Sequence, residues 1–389
     1  FYICFALAIA SALAIAFSGN LFTLFIFYEV LTISTYPLVA HKETPEARAG
    51  ARVYLGILMT TSILFLLVAV IWTWNIAGTM EFRAGGILEG KIDPAYAPFL
   101  LALFAFGIGK AALMPFHRWL PAAMVAPTPV SALLHAVAVV KAGVFTMLKV
   151  GTYIFGVGFL SKTGASDWLM WIAAASILIA SIVALTKDDL KARLAYSTVS
   201  QLSYITLGMA LANQMGVIGG SMHIVTHAVG KITLFMCAGA IYVAAHKTKV
   251  SELDGLGRKM PVTFICFTIA ALSIIGLPPF AGAWSKWYLL LASADEGQMV
   301  MIVVLMLSSL LNVAYLLSIS GRAFFAPARD RMAHSLGAAA APSKGIEEAP
   351  LFCLIPICLT ALGCVVVFFA VGGLYEYLLS IPILPEAAP

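Results

Sequence analysis

Eleven apolar runs, each about as long as a bilayer crossing requires, follow one another along this chain. They occupy residues 1–17, 19–40, 51–74, 97–125, 129–155, 168–186, 190–212, 215–245, 260–294, 298–321 and 350–374. About 20 apolar residues in a helix cross the hydrocarbon core. Inside it every backbone N–H and C=O must be bonded internally, which makes helices the natural form for such runs. Composition agrees: the chain is 62% hydrophobic and 11% charged, with a mean hydropathy of +0.99, too apolar for a soluble surface. The expected fold is therefore an all-α polytopic membrane protein of about eleven transmembrane helices, with the lipid bilayer as its solvent.

Two runs are too long and are interrupted, the fourth by MPFHRWLP at 114–121 and the ninth by GLPPFAGAWSK at 276–286. Proline removes a donor and glycine weakens the turn, so both helices should break within the membrane. Lysine and arginine concentrate in alternate loops. Loops 41–52, 114–128, 187–193, 246–259 and 321–349 hold fifteen, whereas the other loops hold Arg83, Lys91 and Lys162. The first set is expected on the cytoplasmic side of a bacterial inner membrane. Residues 1–155 hold five runs with the fourth broken, and residues 168–321 repeat that layout. Five is odd, so the halves enter from opposite sides, as two inverted repeats followed by a final helix and tail at 350–389. Paired broken helices in inverted halves point to an ion pathway. The start, FYICFALAIA, has neither methionine nor a basic lead, and reads as a cut through a longer protein and not as a signal peptide.

The ionisable residues inside the runs are few. Glu29, in FIFYEVLTIS, is the one acid deep in a span, and Lys110 lies directly before the first break. A carboxylate and an ammonium 4 Å apart attract by about 4 kcal/mol at an effective dielectric near 20. Separating such a pair frees a proton; a static buried ion pair is the competing reading. His135 and Lys141 share the fifth run, and His223, His227 and Lys231 recur every four residues, stacked on one helical face. Histidine titrates near neutrality, so such a row can hand protons along. The His223/His227 spacing also suits zinc, but no HExxH glutamate or third ligand accompanies it. Lys286 follows the second break as Lys110 precedes the first, and Lys149, near a span end, is expected to snorkel. The six cysteines lie in apolar runs without a CxxC pair, and the net charge of +5 is dispersed over loops. Neither disulfides, a metal cluster, a cofactor nor a nucleic-acid partner is expected.

With FYEVLTISTYPLV, GKAALMPFHRWLPAAMVAPTPVSALLHAVAVVKAGVF, LKARLAYSTVSQLSYITLG, HIVTHAVGK and GLPPFAGAWSKW, the chain resembles the proton-conducting antiporter family shared by respiratory complex I and the multi-subunit Na+/H+ antiporters. The resemblance covers most of residues 19–290. It places the family's fifth-helix glutamate on Glu29, its seventh-helix lysine on Lys110, its eighth-helix lysine on Lys141 and its twelfth-helix ionisable residue on Lys286. It also implies fourteen core helices, of which these would be the fourth to the fourteenth. Lys286, where M-type relatives carry an acid, and the end of the chain soon after its last span favour the D-type antiporter subunit. Many relatives read LPDAH where this chain reads LPAAM, so Ala122 and Met124 replace polar groups.

The resemblance thus implies a membrane subunit exchanging Na+ or another monovalent cation for protons, in the company of other membrane subunits. The alternative is a proton-pumping subunit of complex I or a membrane-bound hydrogenase.

Overall fold

The computed structural model describes residues 1–327 and 345–383. Three basic residues used for the orientation, Arg329, Arg331 and Lys344, and the tail 384–389 lie outside the described residues.

Each of the eleven runs is helical. The first three are α1 (Tyr2–Phe17), α2 (Leu21–Val39) and α3 (Pro45–Ala77). The broken fourth begins with α4 (Ala97–Gly107), and the fifth is α5 (Thr128–Phe155). Then come α6 (Asp167–Thr186), α7 (Leu190–Ala210) and α8 (Gln214–Ala245). The broken ninth run gives α9 (Pro261–Ile275) and α10 (Gly282–Asp295), followed by α11 (Met299–Phe325) and α12 (Leu351–Phe369). Short helices at Val157–Thr163 and Val371–Leu379, not expected from the runs, flank α5 and α12.

Polar residues set the helix starts. Asn20, Thr44, Asp189 and Asn213 each accept a hydrogen bond from a backbone N–H three residues on, at 2.7–3.1 Å, satisfying an otherwise orphaned donor. Thr44 with Pro45 starts α3 six residues earlier than the apolar run does. Single π turns interrupt α3 at 62–66, α5 at 133–137 and 151–155, and α11 at 313–317.

Burial explains an anomaly of composition. Helix α7 carries STVSQLSYIT at 197–206, too polar to face lipid, yet every residue from Leu194 to Ala210 except Tyr196 is buried. It is packed against α6, α8 and α5, where neighbouring polar groups take the place of solvent. The outer helices do the reverse: α12 leaves Leu351, Phe352, Leu359 and Phe369 more than 60% exposed to the bilayer.

Candidate functional site

The first break is held open by side chains that occupy its freed backbone groups. Trp119 Nε1 donates to Gly109 O at 2.9 Å, and the Lys110 N–H donates to the Tyr28 hydroxyl at 3.0 Å. Gly143 of α5 lets the chain approach, since a Cβ there would collide with the backbone of Lys110 and Ala111. After the break no long half-helix forms; a four-residue turn, Trp119–Ala122, leads to Met124 and α5. The second break is tidier. Gly276 takes a left-handed φ of +91°, where a Cβ would meet Lys286 Cδ at 2.7 Å, and the Ala281 N–H donates to Cys364 O of α12 at 2.8 Å.

Lys110 is fully buried. Its Nζ donates to Tyr28 O at 2.8 Å and to Thr32 Oγ1 at 2.5 Å, and lies 3.2 Å from the Tyr28 ring centroid. These partners flank Glu29 on α2, but the expected direct pair is not formed: among the described residues Glu29 has no hydrogen bond and no ion pair, although both carboxylate oxygens are buried. The ammonium takes the backbone carbonyl and hydroxyl beside the acid instead. Glu29 thus lies beside the groups that hold Lys110 without a hydrogen bond to it.

The α8 row divides. Lys141 Nζ lies 2.6 Å from His227 Nδ1, so α5 and α8 are joined by an amine–imidazole contact in which one nitrogen donates and the other accepts. The His227 and His223 rings are 6.0 Å apart, and His223 Nδ1 bonds the Ser285 hydroxyl at 2.9 Å, next to Lys286. Lys231, one turn beyond His227, points elsewhere: it donates to Ser197 Oγ at 2.7 Å and Leu194 O at 3.2 Å, both on α7. His135 sits in a π turn of α5, its ring 5.0 Å from Phe235, with both nitrogens buried and unpartnered among the described residues. Lys286 donates to Ile275 O and Ser309 Oγ, both at 2.9 Å, and lies 5.0 Å from the Tyr204 ring, which stacks on His223. Lys149 bonds Ser18 O at 2.6 Å, away from the row.

The site residues singled out from the sequence are therefore all placed in the interior, in three groups (Glu29 with Lys110; Lys141, His227, His223 and Lys286; and Lys231 with α7), while His135 stands apart from all three against Phe235. The sequence reading missed the hydroxyl groups that receive the lysines, Thr32, Ser197 and Ser309. The polarity of α7 was the available signal for the second of them.

A polytopic helical membrane protein, twice broken, with four buried lysines held by neutral groups is the class that fold and site define. The model of the NADH:quinone oxidoreductase/Mrp antiporter transmembrane family matches residues 18–312, and the chain belongs to that family. It is 34% identical over 371 residues to NADH-quinone oxidoreductase subunit N of Desulforudis audaxviator, covering 94% of this chain and 73% of that protein. It is 35% identical over 292 residues to a probable K(+)/H(+) antiporter subunit of Rhizobium meliloti, covering 74% of this chain but 28% of that protein. In fold it matches a chain of the Mrp complex from Dietzia with a TM-score of 0.84 at 24% identity, over 96% of this chain and 75% of the other.

Proposed function

We propose that the chain is a proton-conducting membrane subunit of a multi-subunit monovalent-cation/proton antiporter, working with other membrane subunits in a bacterial inner membrane. One observation carries the reading. Lys110, Lys141, Lys231 and Lys286 are buried on carbonyl, hydroxyl and imidazole partners, and the one carboxylate deep in a span, Glu29, stands beside Lys110. Four ammonium groups without ion-pair partners are expensive to bury, and such positions are retained where protons come and go. In this reading Glu29 sets the charge state of Lys110, protons pass by Lys141 and the histidines, and Lys286 exchanges them with the opposite side. Residues 1–155 and 168–321 act as two inverted units, a view supported by the break and the lysine in the fourth span of each.

The second reading, a pumping subunit of a redox complex, is favoured by the 34% identity to a quinone oxidoreductase subunit. Vesicles carrying the complete operon, with and without this subunit, separate the two. Cation-dependent proton flux that vanishes without the subunit supports the antiporter, and flux that requires quinone reduction supports the redox complex.

A further inference from the structure

Independently of what the chain conducts, we propose that a groove between α1, α5, α8 and α12 binds an anionic phospholipid. Lys42, Lys191 and Lys247 would hold its phosphate, and its acyl chains would lie along the helices.

The groove has a volume of about 880 Å³, near the top of the range of ligand pockets. Phe5 of α1, Val137 of α5, Ile232 and Val243 of α8, and Phe352 and Pro356 of α12 form its apolar walls. Val137, Val243 and Phe352 are 45–91% exposed, so these walls face outward, toward lipid. Ile232 and Val243 are eleven residues apart in one helix, which is about 16 Å, or about half of the hydrocarbon core. The apolar part therefore has the depth of one leaflet.

The charges come from loops and helix starts at one end. Lys42 follows α2, Lys191 stands at the start of α7 and Lys247 follows α8, and all three line the groove. Asp189 is the one acid among the lining residues, and its Oδ1 is already engaged by the Ala192 N–H at 2.7 Å, capping α7. Lys191 Nζ donates to Ala126 O at 2.9 Å and to Ser131 Oγ at 3.2 Å. Those two bonds fix the ammonium and leave one of its three donors over. All three lysines belong to the basic loops that the charge distribution assigns to the cytoplasmic surface.

The combination selects the occupant. A free anion would use the lysines and leave the apolar walls bare. A zwitterionic lipid would cover the walls but bring a cation to three ammonium groups. An anionic phospholipid of the cytoplasmic leaflet answers both, and basic pockets between membrane helices on that side are where such headgroups bind. Seated there, it joins α1 and α5 to α8 and α12, and Lys191 links its headgroup to Ser131, one turn before His135 on α5.

The test uses the complete complex in phosphatidylcholine vesicles doped with photoactivatable phosphatidylglycerol or, at the same level, photoactivatable phosphatidylcholine. The reactive group is on the acyl chain, and labelled peptides are mapped by mass spectrometry. Phosphatidylglycerol should label the α8 and α12 walls at least about tenfold more than phosphatidylcholine, as expected where several lysines face one headgroup. Lys42→Gln with Lys247→Gln, both in exposed loops, should lower that preference by up to about fivefold per lysine and leave phosphatidylcholine labelling unchanged. Adding Lys191→Gln should bring the two lipids level. Val243→Trp, which fills the apolar part, should reduce labelling by both. Equal labelling of the parent by the two lipids overturns the proposal. So does a preference that survives the lysine changes at normal membrane abundance, or one abolished by millimolar inorganic phosphate, which would make the lysines a simple anion site. Absence of label from these walls overturns it as well, and is the result expected if a neighbouring subunit or further chain covers the groove.

Discussion

The two broken helices hold their lysines in similar surroundings by different means. At the first, the helix stops at Gly107 and Lys110 lies within the break, reaching sideways to a carbonyl and a hydroxyl of the unbroken α2. At the second, a helix resumes at Gly282, and Lys286 reaches back to a carbonyl of its own first half, Ile275 O, and to Ser309 of α11. Both ammonium groups also lie near a tyrosine ring, at 3.2 Å for Tyr28 and 5.0 Å for Tyr204. The difference is the acid. Glu29 neighbours Lys110, whereas among the described residues Lys286 is surrounded by neutral groups and His223. In the proposed reading a charge biases the first lysine, and the second is left to burial and to protons arriving from the row.

The largest expected effect tests that difference directly. Lys110→Ala and Lys286→Ala should each lower proton flux by about a hundredfold, the low end of what positioned proton-transfer groups contribute. Glu29→Gln should approach the Lys110 loss, and combined with Lys110→Ala it should add little more. Normal flux in Glu29→Gln at normal abundance would remove the acid from the comparison.

Next in size is exchange of the charge carrier at the second break. Arginine keeps its proton at any working pH, so Lys286→Arg should be nearly as inactive as Lys286→Ala. Lys286→Glu, which restores a titratable group, should keep partial flux. Parent-like transport by Lys286→Arg would make the residue a fixed charge and move the proton exit elsewhere.

The hydroxyl partners come third. Thr32→Val and Ser309→Ala each remove one hydrogen bond to a lysine, and a bond to a charged group contributes about 1.5–3 kcal/mol. Flux should fall several-fold in each. Because Glu29 still stands beside Lys110, Thr32→Val should be the milder of the two; the reverse order would show that the hydroxyl and not the acid governs the first site.

The smallest effect belongs outside the membrane. Asp188 accepts bonds from Ser251 N and Oγ at 2.9 and 2.8 Å, which hold its carboxyl below the usual carboxylate range. Its contribution to stability is therefore present at neutral pH and lost as pH falls through that lowered value. Asp188→Asn should slightly lower Tm at pH 7, with the gap closing in acid and flux unchanged. A flux defect would tie this loop to the conducting path.

Much of this architecture could be read from residue order because lipid imposes length and apolarity on each span. Prolines and glycines at 276–286 marked the second break, whereas the first opens after Gly107, ahead of the prolines at 114–121, so that Lys110 lies inside it and not before it. The i, i+4 spacing placed His223, His227 and Lys231 on one face. Spacing could not say where a long side chain ends. Lys231 shares that face but finds its partners on α7, and Glu29 and Lys110, paired by charge in the sequence, are separated by the nearer Tyr28 carbonyl and Thr32 hydroxyl. The hydroxyl trio of Ser181, Ser200 and Ser308 was hidden for another reason. Serine and threonine in a helix commonly bond their own preceding turn, as Thr198 does here and as Ser181 does too besides meeting its neighbours. Only the packing of α6, α7 and α11 shows which of these hydroxyls also reaches a neighbouring helix.

The buried polarity of α7 bears on how the molecule is made. A segment carrying Lys191, Arg193 and a run of serines is a poor candidate for stable residence in lipid by itself. With α5, α6 and α8 packed around it the helix is enclosed, and since α8 is synthesised after it, its stable insertion is expected to follow that of α8. Ribosomes halted shortly beyond residue 212 should leave α7 accessible to water-soluble labels, and release of the chain through α11 should protect it.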